Sequence, residues 1–170
     1  MTDLKNCKYL ILLFLFLVIS LKHIEAQTDK VNIYNPEANA KADLDNAIKQ
    51  AQKENKNVLI QVGGNWCKWC IAFHKFCKND KQIDSLIKAD YVFLLINYSK
   101  ENKNPEIMKI LEYPQRFGFP VLVVLDKTGK RIHTQDSGYL ELDKSYDNKK
   151  VTLFLKNWST NSLNPNNYKE

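Results

Sequence analysis

Apolar residues recur at helical spacing from Lys41 to Asn55, where Ala42, Leu44, Ala47, Ile48 and Ala51 stand among Lys, Asp, Glu and Gln, and this predicts an amphipathic helix. The pattern then switches. The stretch "NVLIQVGG" is a short β-branched run ended by Gly63 and Gly64, as expected of a buried strand followed by a break. Cys67 to Lys78 reads as helical, with Asn65 or Trp66 near its start, and "KQIDSLIKA" continues as a second helical piece. "YVFLLINY" carries almost no polar interruption and predicts the next buried strand. Pro105 to Glu112 reads as a short helix and "YPQRFGFP" as a structured turn, while "VLVVLD", "KTGK" and "RIHTQ" make a hairpin turning at Thr128-Gly129. Val151, Phe154, Leu155 and Trp158 place a closing helix over Lys149 to Trp158. Two continuous apolar strands joined through a helix predict a parallel unit covered on both faces, and the hairpin adds antiparallel strands. The expected class is an α/β sandwich with a central mixed sheet.

A segment of another kind precedes this pattern. Lys5 and Lys8 lead into an apolar run from Leu10 to Ile19, and Ile24-Glu25-Ala26 ends in a small residue, so residues 1–26 predict a signal peptide cleaved before Gln27. The run is shorter than the about 20 residues that a membrane-spanning helix needs. An uncleaved anchor is the competing reading, because Lys22 and His23 interrupt the approach to the cleavage site. Residues 27–40 then form an N-terminal arm in which "VNIY" is an edge strand or an extended segment, residues 41–160 the domain, and the Asn-rich residues 161–170 a flexible tail. The expected location is periplasmic or secreted, with no stable membrane association once the signal is removed.

Charge narrows the partners. The formal net charge of +6 is carried by Lys and Arg scattered among acids, which is a solvated surface and not a nucleic-acid footprint. Cys7 leaves with the signal segment, so of four cysteines three remain, an odd number in an oxidising compartment.

Those three stand close together in "GGNWCKWCIAFHKFCKND". A Cys-x-x-Cys pair opening a helix straight after a buried strand has a physical consequence. Free backbone N–H groups and the positive end of the helix dipole stabilise a thiolate at Cys67, with Lys68 adding to the field. Cys70, one turn deeper, is placed to attack a mixed disulfide formed on Cys67 and release the product. The spacing of Cys67, Cys70, His74 and Cys77 also suggests a metal knuckle, but on one continuous helix Cys67 and Cys77 stand about 15 Å apart. Zinc ligands all lie within about 2.3 Å of the metal. No metal is therefore expected on that foursome, although a copper or zinc site using Cys67, Cys70 and a histidine from elsewhere stays open. Cys77, about 10.5 Å along the axis from Cys70, is beyond disulfide reach and reads as a small buried residue.

"VLIQVGGNWCKWC", followed some fifty residues later by "FGFPVLVVLDKTGKRI", resembles the thioredoxin superfamily, and more narrowly its exported bacterial members, over roughly Asp43 to Trp158. The resemblance implies a thioredoxin-like three-layer sandwich, a redox-active Cys67/Cys70 pair and no cofactor. It also implies that Phe119-Pro120 is a cis peptide lying against the disulfide, where its backbone takes up the substrate chain. Trp66 and Trp69 flank a substrate surface on this reading; packing against the helix is the alternative for each. The implied partners are cysteine-containing protein or peptide substrates and a redox partner protein.

Two positions depart from the family pattern. Thioredoxins usually bury an acid in the strand six positions before the first cysteine, where this chain has Gln61, and the lysine partner on the next strand is replaced by Leu95. Gln61 forms hydrogen bonds but cannot take a proton from Cys70. The expected function is an exported thiol-disulfide oxidoreductase. The alternative is a thioredoxin-fold binding module or copper or zinc carrier whose cysteines hold a ligand or a structural bond.

Overall fold

The computed structural model describes residues 31–169. The expected signal peptide, and Cys7 within it, lie outside the described residues. The central sheet has the order β2-β1-β3-β4, with β1 (Asn57–Gly63), β2 (Tyr91–Asn97), β3 (Val121–Leu125) and β4 (Arg131–Asp136). β1 pairs parallel with β2 and antiparallel with β3, and β3 pairs antiparallel with β4. The mixed sheet expected from the pattern is therefore present.

Helices cover both faces of this sheet. The period-two alternation of β1 decides which residue meets which layer. Val58, Ile60 and Val62 point to one face, where they meet Leu44, Ala47 and Ala51 of α1 (Ala40–Glu54) and Ile107 and Met108 of α4 (Pro105–Ile110). Leu59 points to the other, toward Phe73 and Cys77 of α2 (Lys68–Asn79), Ile83 and Ile87 of α3 (Lys81–Asp90) and Val151, Phe154 and Leu155 of α5 (Asn148–Asn157). All seven residues of β1 are buried because the strand is central and covered on both sides. Each fully buried Leu, Ile or Val contributes about 1.5–3 kcal/mol.

Local polar groups set the helix ends. Asn39 caps α1 by accepting from the Ala42 N–H, and Asn55 closes it with φ 52°. Asp80 separates α2 from α3 by accepting from the N–H groups of Gln82 and Ile83, and Asp147 caps α5 through the Lys150 N–H. Each satisfies donors that a helix start leaves free. α2 begins at Lys68, one residue later than the sequence reading, because Cys67 itself serves as the cap.

"VNIY" forms no strand. Its backbone is held by the Asn65 side chain, which accepts from the N–H groups of Ile33 and Tyr34 at 2.9 Å each and donates to the Tyr34 carbonyl at 2.8 Å. "YPQRFGFP" contains a 3₁₀ turn over Pro114–Phe117, closed by Gly118 at φ 88°, a conformation that favours glycine. A 3₁₀ turn over Ser137–Leu140 and a two-residue hairpin of β5 (Glu141–Leu142) and β6 (Ser145–Tyr146) precede α5 and were not anticipated. Past α5, Pro165–Tyr168 forms a further 3₁₀ turn. No helix among the described residues is long and apolar enough to cross a membrane.

Candidate functional site

The end of β1, the break after it and the start of α2 bring the cysteines to the C-terminal end of this central strand. Cys67 and Cys70 are joined by a disulfide, with their Cα atoms 5.2 Å apart. Cys67 retains 6% exposure and Cys70 none. The Cys67 sulfur accepts the Cys70 backbone N–H at 3.1 Å, and at a helix start this donor and the helix dipole both favour negative charge on that sulfur once the bond opens. Lys68 follows in the first turn with its side chain in solvent.

Gly63 is where the sheet makes room for this bond. A β-carbon there would collide with the Cys70 sulfur and stand 2.8 Å from the Tyr34 hydroxyl oxygen. Gly64 similarly leaves space for the Trp66 indole, whose Nε1–H donates to the Tyr98 carbonyl at 2.8 Å.

Phe119-Pro120 is a cis peptide, as the resemblance implied. The Phe119 ring meets Trp66 edge-on at 5.3 Å and packs on Tyr98 at 5.0 Å, so three aromatics from three loops form one surface beside the disulfide. Trp66 is 57% exposed. An open groove of about 550 Å³ continues from Trp66 along Pro36, Tyr98, Lys100 and Lys103. Pro120 itself is buried and does not line this groove. Trp69 takes a different position, half-buried and edge-on to Tyr146 at 5.6 Å, while its carbonyl accepts from the Tyr146 hydroxyl.

Gln61 is fully buried under the disulfide. Its Nε2 donates to the Tyr34 hydroxyl at 2.6 Å and to the Cys70 carbonyl at 2.9 Å, and its Oε1 has no partner among the described residues. Leu95 stands opposite it in the β1–β2 register. No Asp or Glu is buried among the described residues. Sequence reasoning missed Tyr34 altogether: it is 4% exposed, packs with Cys67 and Cys70, and is supplied by the arm. Burial pushes its phenol pKa up, so it stays protonated at neutral pH.

The remaining candidates are elsewhere. Cys77 is a free thiol packed with Phe73 and Ile83 in the layer under α3, and burial pushes its pKa up to about 12. His74 stacks on Phe93 at 5.9 Å, and partial burial lowers its pKa, with Lys78 adding to the effect. Among the described residues no three His, Cys, Asp or Glu side chains converge to hold a metal.

The family model for a thioredoxin-like domain matches residues 44–147. The chain belongs to the thioredoxin-like family. Among curated relatives, it is 30% identical over 81 residues to the thiol:disulfide interchange protein DsbD of Photorhabdus laumondii, covering 48% of this chain and 14% of that protein. It is 24% identical over 98 residues to DsbD of Actinobacillus pleuropneumoniae, covering 56% of this chain and 16% of that protein. The chain thus corresponds to a small part of each relative's length. The disulphide isomerase of Xylella fastidiosa Temecula1 superposes with a TM-score of 0.66 at 23% identity, covering 74% of this chain and 95% of that one, a likeness of fold. A thioredoxin-like fold with a disulfide-forming Cys67/Cys70 pair at a helix start is the machinery of thiol-disulfide oxidoreduction. Tyr34 and the arm lie outside the residues that the family model matches.

Proposed function

We propose that this chain is an exported thiol-disulfide oxidoreductase that exchanges with disulfides of protein or peptide substrates through Cys67 and Cys70. The observation that carries the reading is the asymmetry of the pair: Cys67 caps the helix and touches solvent, whereas Cys70 is sealed beneath it. In the reducing direction the Cys67 thiolate attacks a substrate disulfide, forming a mixed disulfide and expelling one substrate thiolate. Cys70, having lost its proton, then attacks the Cys67 sulfur, the mixed disulfide breaks, and the second substrate thiolate leaves. Two electrons pass to the substrate, and the Cys67–Cys70 bond forms. The same steps reversed oxidise a dithiol, and a redox partner protein resets the pair.

The exposed Trp66 ring, Phe119 and the cis Phe119-Pro120 backbone are assigned to substrate binding, with Lys68, Trp69 and Gln61 in support. Large, rigid aromatics of this kind anchor transient protein contacts. Export, to the periplasm or beyond the cell, is supported by the apolar character of residues 10–19 and the small residue at 26. The relatives' name, thiol:disulfide interchange protein, agrees with the proposed chemistry.

Reduction of a protein disulfide by the dithiol form tests the assignment. Cys67→Ser abolishes turnover, and Cys70→Ser accumulates a substrate-linked species through Cys67 that mass spectrometry detects. Turnover surviving Cys67→Ser would overturn the proposal.

A further inference from the structure

The resolving thiol in this site has an unusual neighbour. Gly63 shows how close: the Cys70 sulfur and the Tyr34 hydroxyl oxygen both lie under 3.0 Å from the point where a Gly63 β-carbon would stand, so they crowd the same small space. Gln61 donates its Nε2–H to the Tyr34 oxygen and to the Cys70 carbonyl, which fixes the amide's orientation and leaves the phenol's own proton unused by Gln61. No other hydrogen bond of the Tyr34 hydroxyl is present among the described residues. The Asn65 side chain, two positions before Cys67, accepts from the N–H groups of Ile33 and Tyr34 and donates to the Tyr34 carbonyl, which holds this backbone in place.

We propose that the Tyr34 hydroxyl, brought in by the arm and oriented by Gln61 as a positioning residue, donates a hydrogen bond to the Cys70 sulfur and stabilises it as the resolving thiolate in a site without a buried acid. When the disulfide opens, the Cys70 side chain is free to turn toward the phenol. Tyr34 keeps its proton throughout: Cys70 loses its own to water, and the phenol lowers the free energy of the charge left behind. The other titratable groups nearby are Cys67 at the helix cap and, beyond Trp69, Tyr146, whose hydroxyl is committed to the Trp69 carbonyl. Lys68 stands in solvent, and Leu95 and Phe119 close the pocket with apolar surface.

With Cys70 as resolver, as proposed above, the test reads its ionisation directly and so separates a wrong donor from a wrong resolver. The reduced protein, labelled with ¹³C at cysteine Cβ, is titrated by NMR beside Tyr34→Phe. A hydrogen bond to a charged group is worth enough to move the Cys70 pKa up by about one unit on its removal, with Cys67 unmoved. The thiolate fraction then falls about tenfold, the remaining thiolate is about threefold more nucleophilic, and resolution below that pKa slows about threefold. The initial attack by Cys67 keeps its rate. An unmoved Cys70 pKa in a folded Tyr34→Phe protein overturns the proposal. If that variant does not fold, the unsubstituted protein still decides: the Tyr34 ring ¹³Cζ resonance follows the ionisation of Cys70, and a flat Tyr34 signal through that titration overturns it equally.

Discussion

Asn65→Ala isolates the attachment of the arm from the chemistry of the cysteines. The side chain makes three hydrogen bonds to Ile33 and Tyr34, and the substitution removes all of them while leaving β1, α2 and the disulfide as they are. At a net value of about 1 kcal/mol each, the arm loses about 3 kcal/mol of its hold on the domain, which is about a hundredfold in the equilibrium between docked and open arm. Asn65→Asp keeps both acceptor contacts, now charge-assisted, and this offsets the carboxylate oxygen that it sets against the Tyr34 carbonyl in place of the donor, so the corresponding change is about tenfold or less. Chymotryptic cleavage after Tyr34 is the assay, because Tyr34 is 4% exposed in the docked state and is reached only when the arm opens. While reclosing outpaces cleavage, the rate follows the open population. The order of cleavage rates is therefore Asn65→Ala fastest, Asn65→Asp intermediate and the parent slowest. A cleavage rate in Asn65→Ala close to that of the parent would refute the reasoning and leave Tyr34 burial and the bond from Asn102 to the Pro36 carbonyl as the actual hold.

Gly63→Ala drives a methyl group against the Cys70 sulfur and the Tyr34 hydroxyl, and overpacking of this kind costs about 1–3 kcal/mol; an unchanged urea midpoint would contradict the crowding. Trp66→Ala removes the exposed ring beside Phe119, so KM for a protein disulfide rises by about tenfold while turnover of a small, ring-free disulfide is unaffected; equal losses on both substrates would place Trp66 outside substrate binding. Burial pushes the Cys77 thiol from 9.0 up to about 12 and raises the Tyr34, Tyr91 and Tyr146 phenols as well. Each unfolded group ionises before its folded counterpart, so this stability is complete below about pH 9 and is lost as pH rises, by up to about 1.4 kcal/mol per unit for each group. Urea midpoints measured across that range decline first from Cys77, Cys77→Val delays the onset, and a midpoint flat to pH 11 would be the contrary result.

How much of this was legible in the sequence follows from the range over which each signal acts. α1 and the central strands were readable because burial imposes a period on nearby residues: Leu44, Ala47 and Ala51 face the sheet together, and β1 is apolar throughout apart from Asn57, Gln61 and Gly63. The Cys67/Cys70 pair was readable because a strand, a glycine break and a helix start are all local. Cys67 as the cap of α2 was not, since cysteine is outside the usual set of capping residues. The β5–β6 hairpin has two residues per strand, too few to show a period. Tyr34 stayed hidden for a stronger reason. Its partners Asn65 and Gln61 lie 31 and 27 positions away, and a side chain that pairs with a distant amide leaves no pattern in its own neighbourhood.

The same long-range contact changes what the departure at Gln61 means. A carboxylate at that depth, opposite Leu95 and without a cationic partner, would be strongly disfavoured in its charged form and would titrate together with Cys70. Gln61 avoids that burial cost but brings no titrating group, so any control over the Cys70 charge falls to fixed dipoles: its own amide on the Cys70 carbonyl, and the Tyr34 phenol that the amide holds. Dipoles do not ionise near neutral pH. Resolution governed by them follows a single thiol ionisation, where an acid-assisted site shows two coupled ones. Gln61→Glu converts one arrangement into the other, because the new carboxyl competes for the Tyr34 hydroxyl and repels a thiolate at Cys70. A second ionisation appears in its resolution profile together with a higher apparent pKa for Cys70. A single ionisation at the parent's pKa in that variant would mean that position 61 has no electrical contact with the resolving sulfur.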